Sequence, residues 1–328
     1  MRAPGFWTKR KPTLLARTLQ PIGVLYGRAT ARRMREPGQR AGAPTICVGN
    51  FVAGGAGKTP AAIALARMLI AGGRRVAFLS RGYGGGERLE PLLVDASAHT
   101  AAMVGDEPLL LAKIAPCWVG ADRVRSARSA VDAGANALIL DDGLQNPALV
   151  KDLAFAVVDG ETGFGNGLCI PAGPLRAPVA VQLPLVRALI VVGGEEPTLG
   201  RIAGSAPGKP LIRASLEPDA LAAAPLIGRE VVAFAGIARP EKFYATLRRV
   251  GAQIVMTRNF ADHHPYTPRE IEALIEEAGR RGAILATTEK DRVRLGARHA
   301  RAVVALPVSL RFEEPGIVRD MLRAIRGS

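Results

Sequence analysis

The stretch GNFVAGGAGKTP, Gly49 to Pro60, decides how the rest of the chain is read. Before it, "PTICVGN" is a short apolar run of strand length; after it, "TPAAIALARMLIAGG" has proline just inside the start of a helical pattern and two glycines at its end. Strand, glycine-rich loop, Gly-Lys-Thr and helix, in that order, make a phosphate-binding loop. Gly54, Gly55 and Gly57 let backbone N–H groups converge on phosphate oxygens, Lys58 supplies a positive charge for the β- and γ-phosphates, and the Thr59 hydroxyl is placed to hold Mg²⁺. Val52 stands where the strict pattern has its first glycine, but the glycines nearest the lysine survive. The expected nucleotide-binding set is Val52, Ala53, Gly54, Gly55, Ala56, Gly57, Lys58 and Thr59.

Working outward, the same alternation continues. "RRVAFLS", "CWVG", "ALILDD", "DLAFAVVDG" and "RALIVVGG" read as buried strands, and "DRVRSARSAVDAG" as a helix capped by Asp122. The pattern implies an α/β fold, P-loop NTPase-like, with a mostly parallel sheet sandwiched by helices. Residues 196–228, containing "PTLGRIAGSAPGKP", read as a linker. A second alternation, from "EVVAFAGIA" to the closing "GIVRDMLRAI", implies a smaller α/β domain. The expected organisation is a basic, partly apolar segment over 1–43, a phosphate-loop domain over 44–195, the linker, and a C-terminal domain over 229–328.

The 44 Lys+Arg against 29 Asp+Glu point to an anionic partner: nucleic acid, phosphorylated small molecules or an anionic membrane. The three cysteines are far apart and none belongs to a C-x-x-C pair, which argues against a disulfide framework or zinc site and for a reducing cytosol. The sequence has no apolar run of transmembrane length and no signal peptide pattern. Ten Lys/Arg and one acid fall in the first 40 residues, around "LLARTLQPIGVLYG". That stretch is either the apolar side of a surface-lying segment on an anionic leaflet, or a solvated arm whose leucines pack on the protein.

Three further stretches carry chemistry. "ALILDDG" brings Asp141 and Asp142 to the end of a strand, as a Walker-B strand brings an acid to the metal bound at Thr59. "GDEP" puts Asp106 and Glu107 at a helix start; capping is one reading, and a carboxylate that takes or orients an acceptor proton is the other. "FADHHPYT" holds His263 and His264 beside Asp262, either as a polar turn or as part of a site closed by the second domain. Arg81, Arg123 and Arg176 fall in loops near the expected cleft and are candidates for holding a phosphate.

In order along the chain, "GNFVAGGAGKTP", "SRGYGG", "GDEP", "DDGLQ", "NGLCIPAGPLRAP", "FAGIARPEKF", "FADHHPYT" and "TTEKD" resemble the motifs of the tetraacyldisaccharide 4'-kinase family. The resemblance implies an ATP- and Mg²⁺-dependent kinase that phosphorylates the 4'-hydroxyl of a lipid A disaccharide precursor at the cytoplasmic face of the bacterial inner membrane, held there peripherally by the N-terminal segment. It implies that Asp106 is the catalytic base assisted by His263, that Lys58 acts at the transferring phosphate, and that Asp141 and Asp142 are magnesium-side acids. It carries no role over to His264, and Asn146 follows "DDGLQ" where many members have histidine. Neither a nucleic-acid partner nor an obligate protein partner is expected. The rival readings are a switch GTPase, whose guanine motif "TTEKD" does not reproduce, and a nucleic-acid-dependent NTPase, for which aromatics at 5% are sparse.

Overall fold

The computed structural model describes residues 4–55, 57–86 and 90–325; Ala56, named above, and Arg2, one of the ten N-terminal basic residues, lie outside the described residues. In chain order the strands are β1 (Thr45–Gly49), β2 (Val76–Ser80), β3 (Leu92–Leu93), β4 (Cys117–Val119), β5 (Ala137–Asp141), β6 (Leu153–Asp159) and β7 (Ala188–Val192). They continue with β8 (Leu211–Pro218), β9 (Glu230–Ala235), β10 (Gln253–Asn259), β11 (Ile284–Thr288), β12 (Val304–Leu306) and β13 (Val308–Phe312). Among the described residues they form a nine-stranded sheet ordered β13-β8-β7-β6-β1-β5-β2-β4-β3 and a four-stranded sheet ordered β10-β9-β11-β12. The small sheet is parallel throughout, and in the large one only the edge pairs β13–β8 and β3–β4 are antiparallel.

Period-two alternation in the central strands feeds two cores, one on each face of the large sheet. Ile46 and Val48 of β1 join Phe78, Ile139, Phe155 and Ile190 on one face; Cys47 joins Leu138, Leu140, Ala154 and Leu189 on the other. Strand β1 therefore lies central and buried on both sides, between β5 and β6, and it delivers the phosphate loop to the middle of the sheet's C-terminal edge. The helix after that loop, Lys58–Ala71, packs its Ala61, Ala62, Leu65, Ala66 and Leu69 on the first core.

Two stretches depart from the sequence reading. Residues 196–228 were expected to link two domains; they hold the helix Glu196–Ser205 and β8, which pairs with β7 in the large sheet. Only alternate residues of β8 are buried at its start, so no continuous apolar run marks the strand. At the other end, the run "RAVVALPVSLRF" serves two sheets, broken at Pro307: β12 closes the small sheet, whereas β13 returns to the large one. The closing helix Pro315–Arg323 follows β13 and buries Val318 and Leu322 in the large sheet's core. The smaller unit is thus inserted between β8 and β13 rather than appended.

The N-terminal helix Leu14–Arg33 begins on a Thr13 cap that accepts from the Ala16 N–H. Its inward side is made of Ala16, Gly23, Gly27 and Ala31. A Cβ at Gly23 would lie 2.7 Å from the Cys169 carbonyl oxygen, which only glycine permits, and one at Gly27 would lie 2.8 Å from Cys169 Sγ and displace that side chain. The large apolar residues point the other way: Leu14 is 81% and Leu25 66% exposed, with Leu15, Ile22, Val24 and Tyr26 also exposed. Among the described residues no helix is long and apolar enough to cross a membrane.

Candidate active site

The phosphate loop leaves β1 through Asn50 and Phe51, both fully buried, and is pinned before its glycines are reached. Ala53 donates its N–H to the Pro174 carbonyl at 2.8 Å, and Val52 forms an isolated antiparallel bridge with Leu175. Extended pairing of this kind suits valine, which explains why the first glycine of the strict pattern is dispensable here. Gly54 and Gly57 adopt φ of 117° and 89°, and a Cβ at Gly54 or Gly55 would meet open space. Lys58 lies back over the loop, its Nζ 3.4 Å from the Gly54 oxygen and 3.5 Å from Asp142 Oδ2.

Parallel pairing of β1 with β5 sets Val48 opposite Asp141, so the loop and the Asp-Asp turn emerge side by side. Thr59 donates its hydroxyl to Asp141 Oδ2 at 3.2 Å. Asp141 Oδ1 is buried without a hydrogen-bond partner among the described residues. Burial, and next the nearby Glu107 charge, push its pKa up to about 7 against the pull of Lys58. A buried carboxylate oxygen with no donor, beside a threonine hydroxyl, is a donor set that fits a small hard cation.

Asp142, expected with Asp141 as a magnesium-side acid, is paired differently. Its φ of 57° turns it out of the strand line, and both oxygens accept from Arg176, at 2.8 and 2.9 Å. Arg176, expected to hold a phosphate, also donates to Gln145 Oε1 at 3.2 Å. Burial favours the neutral acid at Asp142, but Lys58 and Arg176 outweigh it and hold its pKa below the ordinary value. Arg123 is buried at the start of the helix Arg123–Asp132, with Nη1 on the Gly120 carbonyl at 2.8 Å and Nε unpartnered among the described residues. Burial, and next the charge of Arg81, lower its pKa to about 10. Arg81 itself is exposed at the end of β2.

The second centre is Asp106, at the first position of the helix Asp106–Ala112 and buried. Its Oδ1 accepts from the Glu107 N–H at 3.0 Å; its Oδ2 lies 3.2 Å from His263 Nδ1 and 3.2 Å from Arg294 Nε, with Arg294 Nη2 closer still. His263 follows β10, Arg294 follows β11, and Asp106 belongs to the large sheet's unit, so the group forms where the two units meet. Burial would raise the Asp106 pKa, but the hydrogen bond with His263 and the charges of Lys290 and Arg294 hold it well below the usual carboxylate range. Lys290 pairs with Glu107 at 2.8 Å, and the ring of the exposed Tyr83 meets His263 edge-on at 5.5 Å. His263 has φ of 58°. His264 turns away to Glu270, at 3.0 Å, in the capping box of the helix Pro268–Arg280.

Sequence reading missed Arg294 and gave Lys290 and Asp291 no role beyond arguing against a guanine motif. The arginine had no visible partner until β11 was folded beside β9, and the only signal was its place shortly after "TTEKD". A groove of about 430 Å³ runs beside the site, lined by Tyr26, Thr30 and Arg33 of the N-terminal helix and by Gln145, Ile170 and Arg176.

A sequence profile described as LpxK, tetraacyldisaccharide-1-P 4'-kinase, matches residues 15–326. A protein described as tetraacyldisaccharide 4'-kinase from Methylobacterium sp. (strain 4-46) is 54% identical over 99% of this chain and 98% of its own length. A second, from Rhodopseudomonas palustris (strain BisB18), is 48% identical over 98% of this chain and 95% of its own. The crystal structure described as the "apo" form of LpxK from Aquifex aeolicus in complex with ATP is similar with a TM-score of 0.74 at 26% identity, covering 94% of this chain and 99% of that one.

Proposed function

The chain belongs to the tetraacyldisaccharide 4'-kinase family, and on that premise we propose that it transfers the γ-phosphoryl group of ATP to the 4'-hydroxyl of a tetraacyldisaccharide 1-phosphate, a lipid A precursor, using the two centres described above. The observation that carries this reading is their adjacency. Thr59 of the phosphate loop is bonded to Asp141, and the helix that opens at Asp106 packs against the helix that opens at Lys58.

Lys58 and the N–H groups of Gly54, Gly55 and Gly57 hold the ATP phosphates, the lysine exchanging its contacts with Asp142 and the Gly54 carbonyl for phosphate oxygens. Thr59 and Asp141 are the residues that would hold Mg²⁺, which when bound would neutralise charge on the β- and γ-phosphates. Asp142 orients Arg176 rather than taking the cation, since both its oxygens are engaged by that arginine. On the acceptor side, Asp106 receives the hydrogen bond of the 4'-hydroxyl and, as the O–P bond forms, its proton, with His263 aligned through its Nδ1. These partners keep Asp106 ionised, so that it orients the hydroxyl before transfer as well as receiving its proton. Arg81 and Arg123 are left to the transferring phosphate and Arg176 to the substrate.

The groove from Tyr26 to Arg176 leads from the exposed apolar face of the N-terminal helix to the site. That face, with the basic excess around it, supports a peripheral attachment to the cytoplasmic face of the bacterial inner membrane, from which the acyl chains of the substrate need not leave.

Steady-state kinetics of Asp106→Ala, His263→Ala and the double variant test the acceptor-side reading. Asp106→Ala should lower kcat by about 100-fold or more with KM for ATP nearly unchanged. His263→Ala should cost less, and the double variant should be within a few-fold of Asp106→Ala, because the two act as one unit. Wild-type kcat in Asp106→Ala, or losses that multiply in full, would remove the pair from the mechanism.

A further inference from the structure

We propose that Arg294 is a positioning residue for the transfer: it fixes the Asp106 carboxylate so that Oδ1 is the atom presented to the acceptor hydroxyl, and it does so only when the smaller unit is seated on the larger. The proposal rests on the acceptor-side role of Asp106 given above.

An ionised carboxylate has about four acceptor positions, two on each oxygen. On Oδ2 they are oversubscribed, by Arg294 Nε, Arg294 Nη2 and His263 Nδ1. On Oδ1 a single hydrogen bond arrives among the described residues, from the Glu107 N–H. One position of Oδ1 therefore remains for a substrate hydroxyl. Arg294 brings two N–H groups of one rigid planar group onto the same oxygen, Oδ2, and so holds that oxygen in place more firmly than one imidazole bond does.

Arg294 is itself built in. Its side chain is 5% exposed, and Nη1 donates to the Gly236 carbonyl at 2.8 Å and to Asp291 Oδ1 at 2.9 Å. Asp291 is fully buried and also accepts from the Gly236 N–H at 3.0 Å, Tyr266 Oη at 2.8 Å and Thr288 Oγ1 at 2.6 Å. All of these partners belong to the small sheet's unit. Arg294 is thus a rigid probe fixed to one unit, and Asp106 is its target on the other. The charged and titratable groups that face Asp106 are Arg294 and Lys290 from the segment after β11, His263 from the turn after β10, and Glu107 from its own helix. Arg294 alone among the cations places two N–H groups on the carboxylate, both on Oδ2.

The test is a double-mutant cycle on kcat between Arg294 and Asp106 in the full chain, with lipid substrate in detergent, accompanied by KM for ATP and thermal melting. Arg294→Ala should lower kcat about 10- to 100-fold with KM for ATP within about twofold of wild type. Arg294→Lys, which keeps the charge but not the rigid planar group, should recover part of that loss. Arg294→Ala added to Asp106→Asn should cost less than about threefold further, because an arginine that works through the carboxylate has nothing left to position. If Arg294→Ala does not fold, the cycle with Arg294→Lys replaces it, and the same non-additivity is expected. A kcat within twofold of wild type in Arg294→Ala, or losses that multiply in full with Asp106→Asn, would overturn the proposal. Asp106→Asn alone separates the two readings: if it keeps wild-type kcat, the role of Asp106 has failed, whereas if it is inactive and Arg294→Ala is not, only the role of Arg294 has.

Discussion

At Asp141 one carboxylate oxygen receives the Thr59 hydroxyl and the other is buried with no partner among the described residues, so the ionised form waits for a positive charge that the protein does not fully supply. Its pKa is raised from 3.8 to about 7, first by burial and then by Glu107. The folded protein therefore keeps a proton that the unfolded chain has lost, and stability falls as pH rises from about 4 to 7. Replacing Asp141 by asparagine removes that dependence. Asp141→Asn should melt higher than wild type at pH 8 without cation, by roughly 1–3 kcal/mol of stability, and should lose most kinase activity. Added Mg²⁺ with ATP should raise the melting temperature of wild type more than that of the variant. Calorimetry at pH 5 and pH 8 checks both; an asparagine variant that melts lower at pH 8, or gains as much from Mg²⁺ and ATP, would contradict the account of this carboxylate.

The N-terminal helix buries its small residues and leaves its large apolar ones exposed, the reverse of an ordinary amphipathic helix on a core. Gly23, Gly27 and Ala31 recur every fourth position, a spacing that puts them on one face and allows close approach to Cys169. Leu15→Gln combined with Leu25→Gln should therefore weaken binding to anionic vesicles at least several-fold while leaving the melting temperature nearly unchanged, because neither side chain is packed. Gly27→Leu should instead destabilise, since its Cβ alone would meet Cys169 Sγ at 2.8 Å. Vesicle co-sedimentation and melting separate the two; unchanged vesicle binding in the double variant would favour attachment by basic charge alone. The basic clusters and the apolar stretch were legible in sequence, but which face turned inward was not, because it depends on the shape of the segment around Cys169. The phosphate-loop strand and helix were legible because each obeys a local rule. Strand β8 was not, because an edge-proximal strand with alternate polar residues resembles a loop, and β13 was hidden because Pro307 splits one apolar run between two sheets.

Across the whole molecule, chemistry depends on contacts between units that sequence proximity does not reveal. Residues after β9 meet the end of β6 through Arg239 and Lys242 on Asp159, at 2.8 and 2.7 Å, while residues after β10 and β11 meet Asp106. Asp106 and His263 could be named from motifs, but Arg294 could not, since its importance lies in what it faces and not in a local pattern. The two units are joined covalently only from β8 to β9 and from β12 to β13, so these ion pairs accompany the assembly of the acceptor side from both. The phosphate side, by contrast, is assembled within the large sheet. The most direct measurement of the central claim is transfer of label from γ-labelled ATP to tetraacyldisaccharide 1-phosphate in detergent, by wild type and by Lys58→Ala, with melting temperatures recorded for both. Lys58 opens the helix after the loop and its ammonium reaches only the Gly54 carbonyl and Asp142, at 3.4 and 3.5 Å, so its loss should leave melting within a few degrees while transfer falls by about 100-fold or more. Label transfer by Lys58→Ala within a few-fold of wild type, or ATP turnover by wild type that answers to single-stranded DNA and not to the lipid, would contradict it.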